Sequence, residues 1–249
     1  MKLNIAAYCF ADVADVPALA DAVRARCEVL GLLGSVLVAG EGINLFLAGD
    51  ERDVRRFLEW LRSDARFSDI AAKESWSEHV PFARLKVKEK REIVPFAGRP
   101  AGVGESRAPR VDALTLQRWI KAGHDDAGKP LVLLDTRNRE EIGYGTFHDA
   151  RTLPIDNFND LPAAVDAMRD ELQGATVVSF CTGGIRCEKA APFMRDAGLE
   201  NVLQLEGGIL RYFEEVGGEG YDGACFVFDE RIALDPALKP LRDEPVARG

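Results

Sequence analysis

The segment that leaves this chain the fewest possible folds is Val177-Val178-Ser179-Phe180-Cys181-Thr182-Gly183-Gly184-Ile185-Arg186-Cys187-Glu188-Lys189. An apolar, β-branched run passes directly into a cysteine, two glycines, an arginine and a helix-forming stretch. Such a run reads as a buried strand, and a strand that ends in a loop at a helix start gathers several backbone N–H groups around one point. Gly183 and Gly184 allow loop conformations that a side chain forbids. Cys181 falls at the carboxyl end of the strand, the edge where open α/β sheets bind ligands. The loop amides (Thr182, Gly183, Gly184, Ile185), the helix dipole and Arg186 all favour an anion. The thiol is therefore expected below its free value of about 8.5 and largely ionised at neutral pH. A lone cysteine after a strand is usually a small buried hydrophobe. Two glycines and an arginine at a loop-closing spacing make the nucleophile the better reading.

From Val111 onward strands and helices alternate, which implies a parallel, doubly wound sheet over residues 112–218. A helix from Asp112 to Ala122 leads to the strand Leu131–Leu134, which ends in Asp135-Thr136-Arg137. Asp135 and Arg137 read first as a buried ion pair bracing the sheet. A helix over roughly Leu161 to Leu172 precedes the Cys181 strand, and the strand Val202–Leu205 and a helix opening at Gly207-Gly208-Ile209 follow it. His148 reads as a surface or structural histidine, with a base as the alternative.

Residues 1–94 read differently. Leu3–Phe10 is a strand, Asp15 and Pro17 open a helix that Gly31 stops, and two strand-like runs flank Gly42. Asp50 is placed to cap a second helix, Glu51 to Asp64, and Phe82–Val94 is the expected closing strand. The order βαββαβ points to a ferredoxin-like or acylphosphatase-like α+β sandwich. In the closing strand Arg84, Lys86, Lys88 and Lys90 point one way and Leu85 and Val87 the other. The bland reading is a solvated face that discourages edge pairing; the functional one is a surface for RNA phosphates, to which Arg107 and Arg110 would add. Residues 95–111, with Pro95, Gly98, Pro100, Gly102, Gly104 and Pro109, read as a basic linker. Residues 219–249 read as a tail packing on the domains, with core packing the default role of Phe226 and Phe228.

The 41 acidic and 32 basic residues give a net charge of −9, which argues against indiscriminate nucleic-acid binding. Residues 84–110 nevertheless carry eight basic and three acidic side chains, a pattern suited to selective polyanion binding. The five cysteines are odd in number and include no Cys-x-x-Cys pair, and the three histidines lie in unrelated segments. A disulfide framework, a zinc site and an iron site are therefore not expected, and no cofactor is evident. No apolar run approaches a membrane span and the N-terminus lacks a signal-peptide layout, so the expectation is a cytoplasmic protein without membrane association.

Four residues separate Cys181 from Arg186, one fewer than in cysteine-dependent phosphatases, so the cradle is tighter. This six-residue loop resembles that of rhodanese domains, as do the D-T-R, F-H-D-A and L-E-G-G-I strings. CTGGIRCEKA, the Glu41-Gly42-Ile43-Asn44 turn and C-F-V-F-D-E-R at 225–231 narrow it: the chain resembles the rhodanese-like tRNA uridine hydroxylase family. That resemblance implies oxygen-dependent formation of 5-hydroxyuridine at wobble position 34, with Cys181 essential. It also implies molecular oxygen as co-substrate and the tRNA anticodon loop as partner; no protein partner is evident. Arg186 and the loop amides would stabilise anionic intermediates. Cys187 stands open between a resolving thiol and a helix-start residue packed inward. The rivals are a sulfurtransferase carrying a persulfide on Cys181 and a non-enzymatic RNA-binding module.

Overall fold

The computed structural model describes residues 1–96, 98, 99, 101 and 107–247. Pro100, Gly102 and Gly104, read as part of the linker, lie outside the described residues. The chain divides into two compact units, one of Met1–Pro95 with Phe228–Ile232 and the chain from Lys239 on, the other of Phe96–Val227 with Ala233–Leu238.

The first unit runs β1 (Lys2–Phe10), α1 (Val16–Val29), β2 (Leu33–Ala39), β3 (Gly42–Gly49), α2 (Glu51–Arg62), β4 (Ala72–Ser77) and β5 (Leu85–Glu89). In α2 the residues Val54, Phe57, Leu58 and Leu61 recur at helical spacing and are all buried, which docks that face on the sheet core. The β2–β3 hairpin turns at Gly42, whose φ is +140° and where a Cβ would lie 2.0 Å from the Cys9 carbonyl oxygen, so only glycine fits. The sheet order is β4-β1-β3-β2-β5, with each neighbouring pair antiparallel except β2 and β5, which run parallel. This is the expected βαββαβ sandwich with one strand added. The closing strand, however, is β4 and not Phe82–Val94, which contributes only the shorter β5 at the opposite edge. In β4 the buried positions are Lys73, Ser75 and Ser77, so a hydrophobic-alternation reading passes over it. Asp50 precedes α2 but makes no side-chain cap; its carboxylate pairs instead with Lys2 Nζ at 2.6 Å.

The second unit runs β6 (Arg110–Val111), α3 (Ala113–Ala122), β7 (Leu131–Asp135), α4 (Arg139–Ile142), β8 (Gly145–Phe147), β9 (Arg151–Thr152), α5 (Leu161–Ala167), α6 (Arg169–Leu172), β10 (Thr176–Phe180), α7 (Cys187–Asp196), β11 (Val202–Leu205), α8 (Gly208–Val216), β12 (Tyr221–Gly223), β13 (Cys225–Phe226) and β14 (Ala233–Leu234). The helix expected over 161–172 is two helices, broken at Met168 (φ −102°, ψ 3°). The main sheet has the order β6-β11-β10-β7-β9, all parallel. Every residue of the central β10 is buried, as a strand covered on both faces requires. Two antiparallel pairs, β12 with β8 and β13 with β14, complete the unit. No helix among the described residues is long and apolar enough to cross a membrane.

Candidate active site

Strand β10 delivers Cys181 to the carboxyl edge of the parallel sheet, and α7 starts at Cys187, six residues on. The loop between them is shaped by α8. The Ile209 amide donates to the Cys181 carbonyl and the Leu210 amide to the Thr182 carbonyl, each at 3.0 Å. Gly208 makes this approach possible: its φ is +66°, and a Cβ there would stand 2.4 Å from the Cys181 oxygen and 2.7 Å from the Gly184 nitrogen. Two loop carbonyls are thus tied to the helix, and amides are left to face the sulfur. Gly184 donates its N–H to Cys181 Sγ at 3.2 Å, and the amide of Arg186, counted in the sequence for its side chain only, joins it.

The electrostatics follow from that geometry. Burial pushes the Cys181 thiol up, but the S–H of Cys187, the Arg186 charge and the two amides outweigh it and hold the thiol below its ordinary value. Cys27, buried without such donors, is pushed up to about 12, and so is Cys225, where the Arg137 charge and the Thr182 hydroxyl do not offset burial. Cys187 is raised well above the usual range by burial and by the neighbouring Cys181 sulfur. Its own sulfur lies 3.7 Å from Thr136 Oγ1, whose hydroxyl donates to the Phe180 carbonyl at 2.9 Å. Cys181 has no exposed surface. Within the loop Gly183 and Ile185 are half-buried and the others buried.

Arg186 does not stand alone. Its two terminal nitrogens donate to both oxygens of Glu141, each at 2.6 Å, and both side chains are buried. Burial raises the Glu141 carboxyl, yet the Arg186 hydrogen bonds and charge hold it below the usual carboxylate range. Glu141 also accepts from the Asn138 amide at 3.1 Å and from Thr182 Oγ1 at 3.4 Å. The sequence reading missed this residue. The available signal was Asn138-x-x-Glu141, a helix-start pattern in which the acid reaches back to the first amide.

The other expected residues fall as follows. Asp135 and Arg137 form the buried brace, with Nη2–Oδ2 at 2.6 Å, and Thr146 Oγ1 adds a bond to Asp135 at 2.7 Å. His148 has a partner that the sequence did not reveal: its Nε2 lies 2.8 Å from Asp222 Oδ1 in an exposed pair. Arg84, Lys86, Lys88 and Lys90 are exposed on or beside β5 in the first unit, and Arg107 is exposed in the second. Arg110 is already engaged, its Nη2 bonding the buried Glu188 at 2.8 Å, which also accepts from Gln204 at 3.2 Å. Among the described residues no three His, Cys, Asp or Glu side chains are grouped to hold a metal ion.

Residues 116–215 match the rhodanese-like domain, and residues 3–93 match the UPF0176 acylphosphatase-like domain. Fold and loop together define the class: a rhodanese-type enzyme with an acylphosphatase-like N-terminal domain. The tRNA uridine(34) hydroxylase of Xanthomonas euvesicatoria pv. vesicatoria (strain 85-10) is 60% identical over 243 residues, 98% of each chain. The protein of the same name from Xylella fastidiosa (strain 9a5c) is 56% identical over 241 residues, 97% of this chain and 94% of its own. The chain belongs to the tRNA uridine(34) hydroxylase family.

Proposed function

We propose that this chain hydroxylates uridine 34 of tRNA to 5-hydroxyuridine, with molecular oxygen as co-substrate and Cys181 as the reacting group. The observation that carries this reading is a cysteine sulfur held by loop amides in a chain matched along 98% of its length by relatives named tRNA uridine(34) hydroxylase. Addition of the thiolate to C6 of uracil leaves an electron-rich C5 that accepts oxygen. Arg186 and the Gly184 and Arg186 amides stabilise the negative charge that develops.

The electron balance gives Cys187 a role. The C5–H bond becomes C5–OH with one atom of O2, and reducing the other to water takes two further electrons and two protons. A thiol–disulfide step supplies both. Protonated C5 hydroperoxide is reduced by the Cys187 thiol, which becomes a sulfenic acid. Elimination of Cys181 from C6 with loss of the C5 hydrogen restores the uracil ring. The Cys181 thiol then condenses with the sulfenic acid, releasing water and forming a disulfide that an external thiol reduces. Bases of the anticodon loop can be splayed out as this attack requires. Arg84, Lys86, Lys88, Lys90 and Arg107 are the cations available for phosphates.

The test is nucleoside mass spectrometry on tRNA from a deletion strain complemented with wild type, Cys181→Ser or Cys187→Ser. We expect 5-hydroxyuridine derivatives to return with the wild type and not with Cys181→Ser. In vitro, without added reductant, wild type should stop at one turnover per protein with a Cys181–Cys187 disulfide. Full multiple turnover by Cys187→Ser under those conditions removes its part. Normal modification in the deletion strain, together with thiosulfate-to-cyanide transfer by pure protein, would replace the hydroxylase reading with sulfur transfer.

A further inference from the structure

In the Glu41-Gly42-Ile43-Asn44 turn, Gly42 answers to the backbone conformation and Ile43 to the core, where it is fully buried. Glu41 and Asn44 answer to neither. Glu41 Oε1 accepts from the Ile93 N–H at 2.8 Å, and Asn44 Nδ2 donates to the Ile93 carbonyl at 3.2 Å. Both polar groups of one distant residue are thus gripped, and Ile93 itself is buried. Ile93 lies beyond the end of β5 and has no ladder to satisfy it, so these two side chains stand in for a strand.

What the grip holds is the chain just before it. In the edge strand β5, Leu85 and Val87 pack on the core, and Lys86 and Lys88 point to the other face. The strand is tied by its ladder to β2 and by Arg24, whose Nη2 donates to the Val87 carbonyl at 3.2 Å; the Lys90 N–H, 2.9 Å from the Val38 oxygen, follows the ladder. Lys90 and Arg91 therefore lie between two fixed points, the end of that ladder and Ile93. Arg84, Lys86, Lys88, Lys90 and Arg91 are exposed, and none forms an ion pair among the described residues. Other exposed arginines are spent on carboxylates: Arg55 on Glu51, Arg118 on Asp126, Arg139 on Asp156 and Arg242 on Glu244. Uncommitted cations crowded into residues 84–91 of a chain of net charge −9 suit a polyanion. Lysines two residues apart along a strand stand about 6.6 Å apart, a pitch on which successive phosphates of one strand can be met. We propose that Glu41 and Asn44 are positioning residues of an RNA-binding surface: by holding Ile93 they set Lys90 and Arg91 beside Lys86 and Lys88, so that all four engage the phosphates of one RNA strand. This rests on the reading that the substrate is tRNA.

The experiment measures binding of full-length protein to labelled tRNA over a range of salt concentrations. Lys90→Ala and Arg91→Ala combined are expected to weaken binding about twentyfold near 0.1 M salt and to shallow the slope of log affinity against log salt by about 1.4. Asn44→Leu, close in shape but without the N–H, should lose about threefold or more and shallow the slope in the same sense. Added to the Lys90→Ala, Arg91→Ala chain it should change binding by less than about twofold, because the cations it positions are gone. Glu41→Gln, which keeps an acceptor for the Ile93 N–H, should bind within about twofold of wild type. Thermal unfolding reports whether each variant folds, and Asn44→Ala repeats the measurement should Asn44→Leu not fold. A merely structural role predicts the same loss from Asn44→Leu in both backgrounds. That result, or wild-type affinity in either Asn44→Leu or the Lys90→Ala, Arg91→Ala chain, overturns the proposal and leaves the tRNA reading standing. Failure of wild type to bind tRNA overturns both.

Discussion

At Cys181 two opposing effects meet, and local geometry decides between them. Burial alone would raise the thiol as it raises Cys27 and Cys225; the converging donors reverse the sign. A depressed value means that thiolate persists as the pH falls and is lost only below the ordinary thiol range. The rate of iodoacetamide labelling of Cys181 should therefore have its pH midpoint below about 8.5. Cys187→Ala, which removes one donor, should move that midpoint upward, and Cys187→Ser should move it less. A wild-type midpoint at or above the ordinary value would sink this account. Much of the site was legible because Cys181, Gly183, Gly184 and Arg186 are adjacent in the chain, so their spacing alone describes a closed loop. Glu141 was not, because it lies 45 residues from the arginine it grips and its sequence neighbourhood shows only a helix start. The Asp-x-Arg clasp shows both sides of this. At 135–137 a brace was foreseen, whereas the same bonding at 229–231 was hidden inside a string noticed only as a likeness.

At the scale of elements, helix starts separate what a residue type permits from what it does. Asp112 and Asp50 both precede helices, but only Asp112 caps with its side chain, accepting from the Thr115 amide at 2.9 Å. That backbone bond, foremost, holds the Asp112 carboxyl below the usual range. Its contribution is therefore present above the unfolded-state value and lost as the pH falls through the lowered folded value. Asp112→Ala should cost about 1 kcal/mol at neutral pH, a difference that shrinks in acid. Asp50→Ala gives up only a pair exposed to solvent and should cost well under about 1 kcal/mol. Equal losses in urea unfolding would contradict the distinction. Strand β4 is the other lesson at this scale. Its buried Lys73 lies over the Tyr8 ring at 4.5 Å, and Ser75 and Ser77 bond Arg231 and Asn4. Polar groups satisfied by distant partners invert the alternation on which strand reading depends in β4, whereas β10 was plain because Thr176 and Ser179, bonded to Asp125 and Leu203, leave its apolar run of Val177, Val178 and Phe180 in place.

The whole molecule was foreseen as two domains joined by a linker and trailed by a tail, and the βαββαβ order and the strand–helix alternation made both fold types legible. The route of the last thirty residues was not, because it is set by contacts far apart in sequence. Arg231 reaches Ser75, Asp243 accepts from the Glu78 and His79 amides at 2.6 and 3.1 Å, and Leu234 pairs with Cys225. A chain shortened to residue 227 keeps every element around Cys181 except β14, yet loses those bonds to β4 and the segment that follows it. Its urea midpoint should fall relative to the full chain; an unchanged midpoint would show that the tail is dispensable.

The interleaving of the tail also bears on how the protein is made. On a ribosome, residues 1–95 emerge first, and an N-terminal domain ordinarily folds before the next is complete. Here that unit still lacks Phe228–Ile232 and everything from Lys239 on. Of the two units, the one begun earlier is therefore the one finished later: Ser75 waits for Arg231 until residues 96–227 of the other unit have been made.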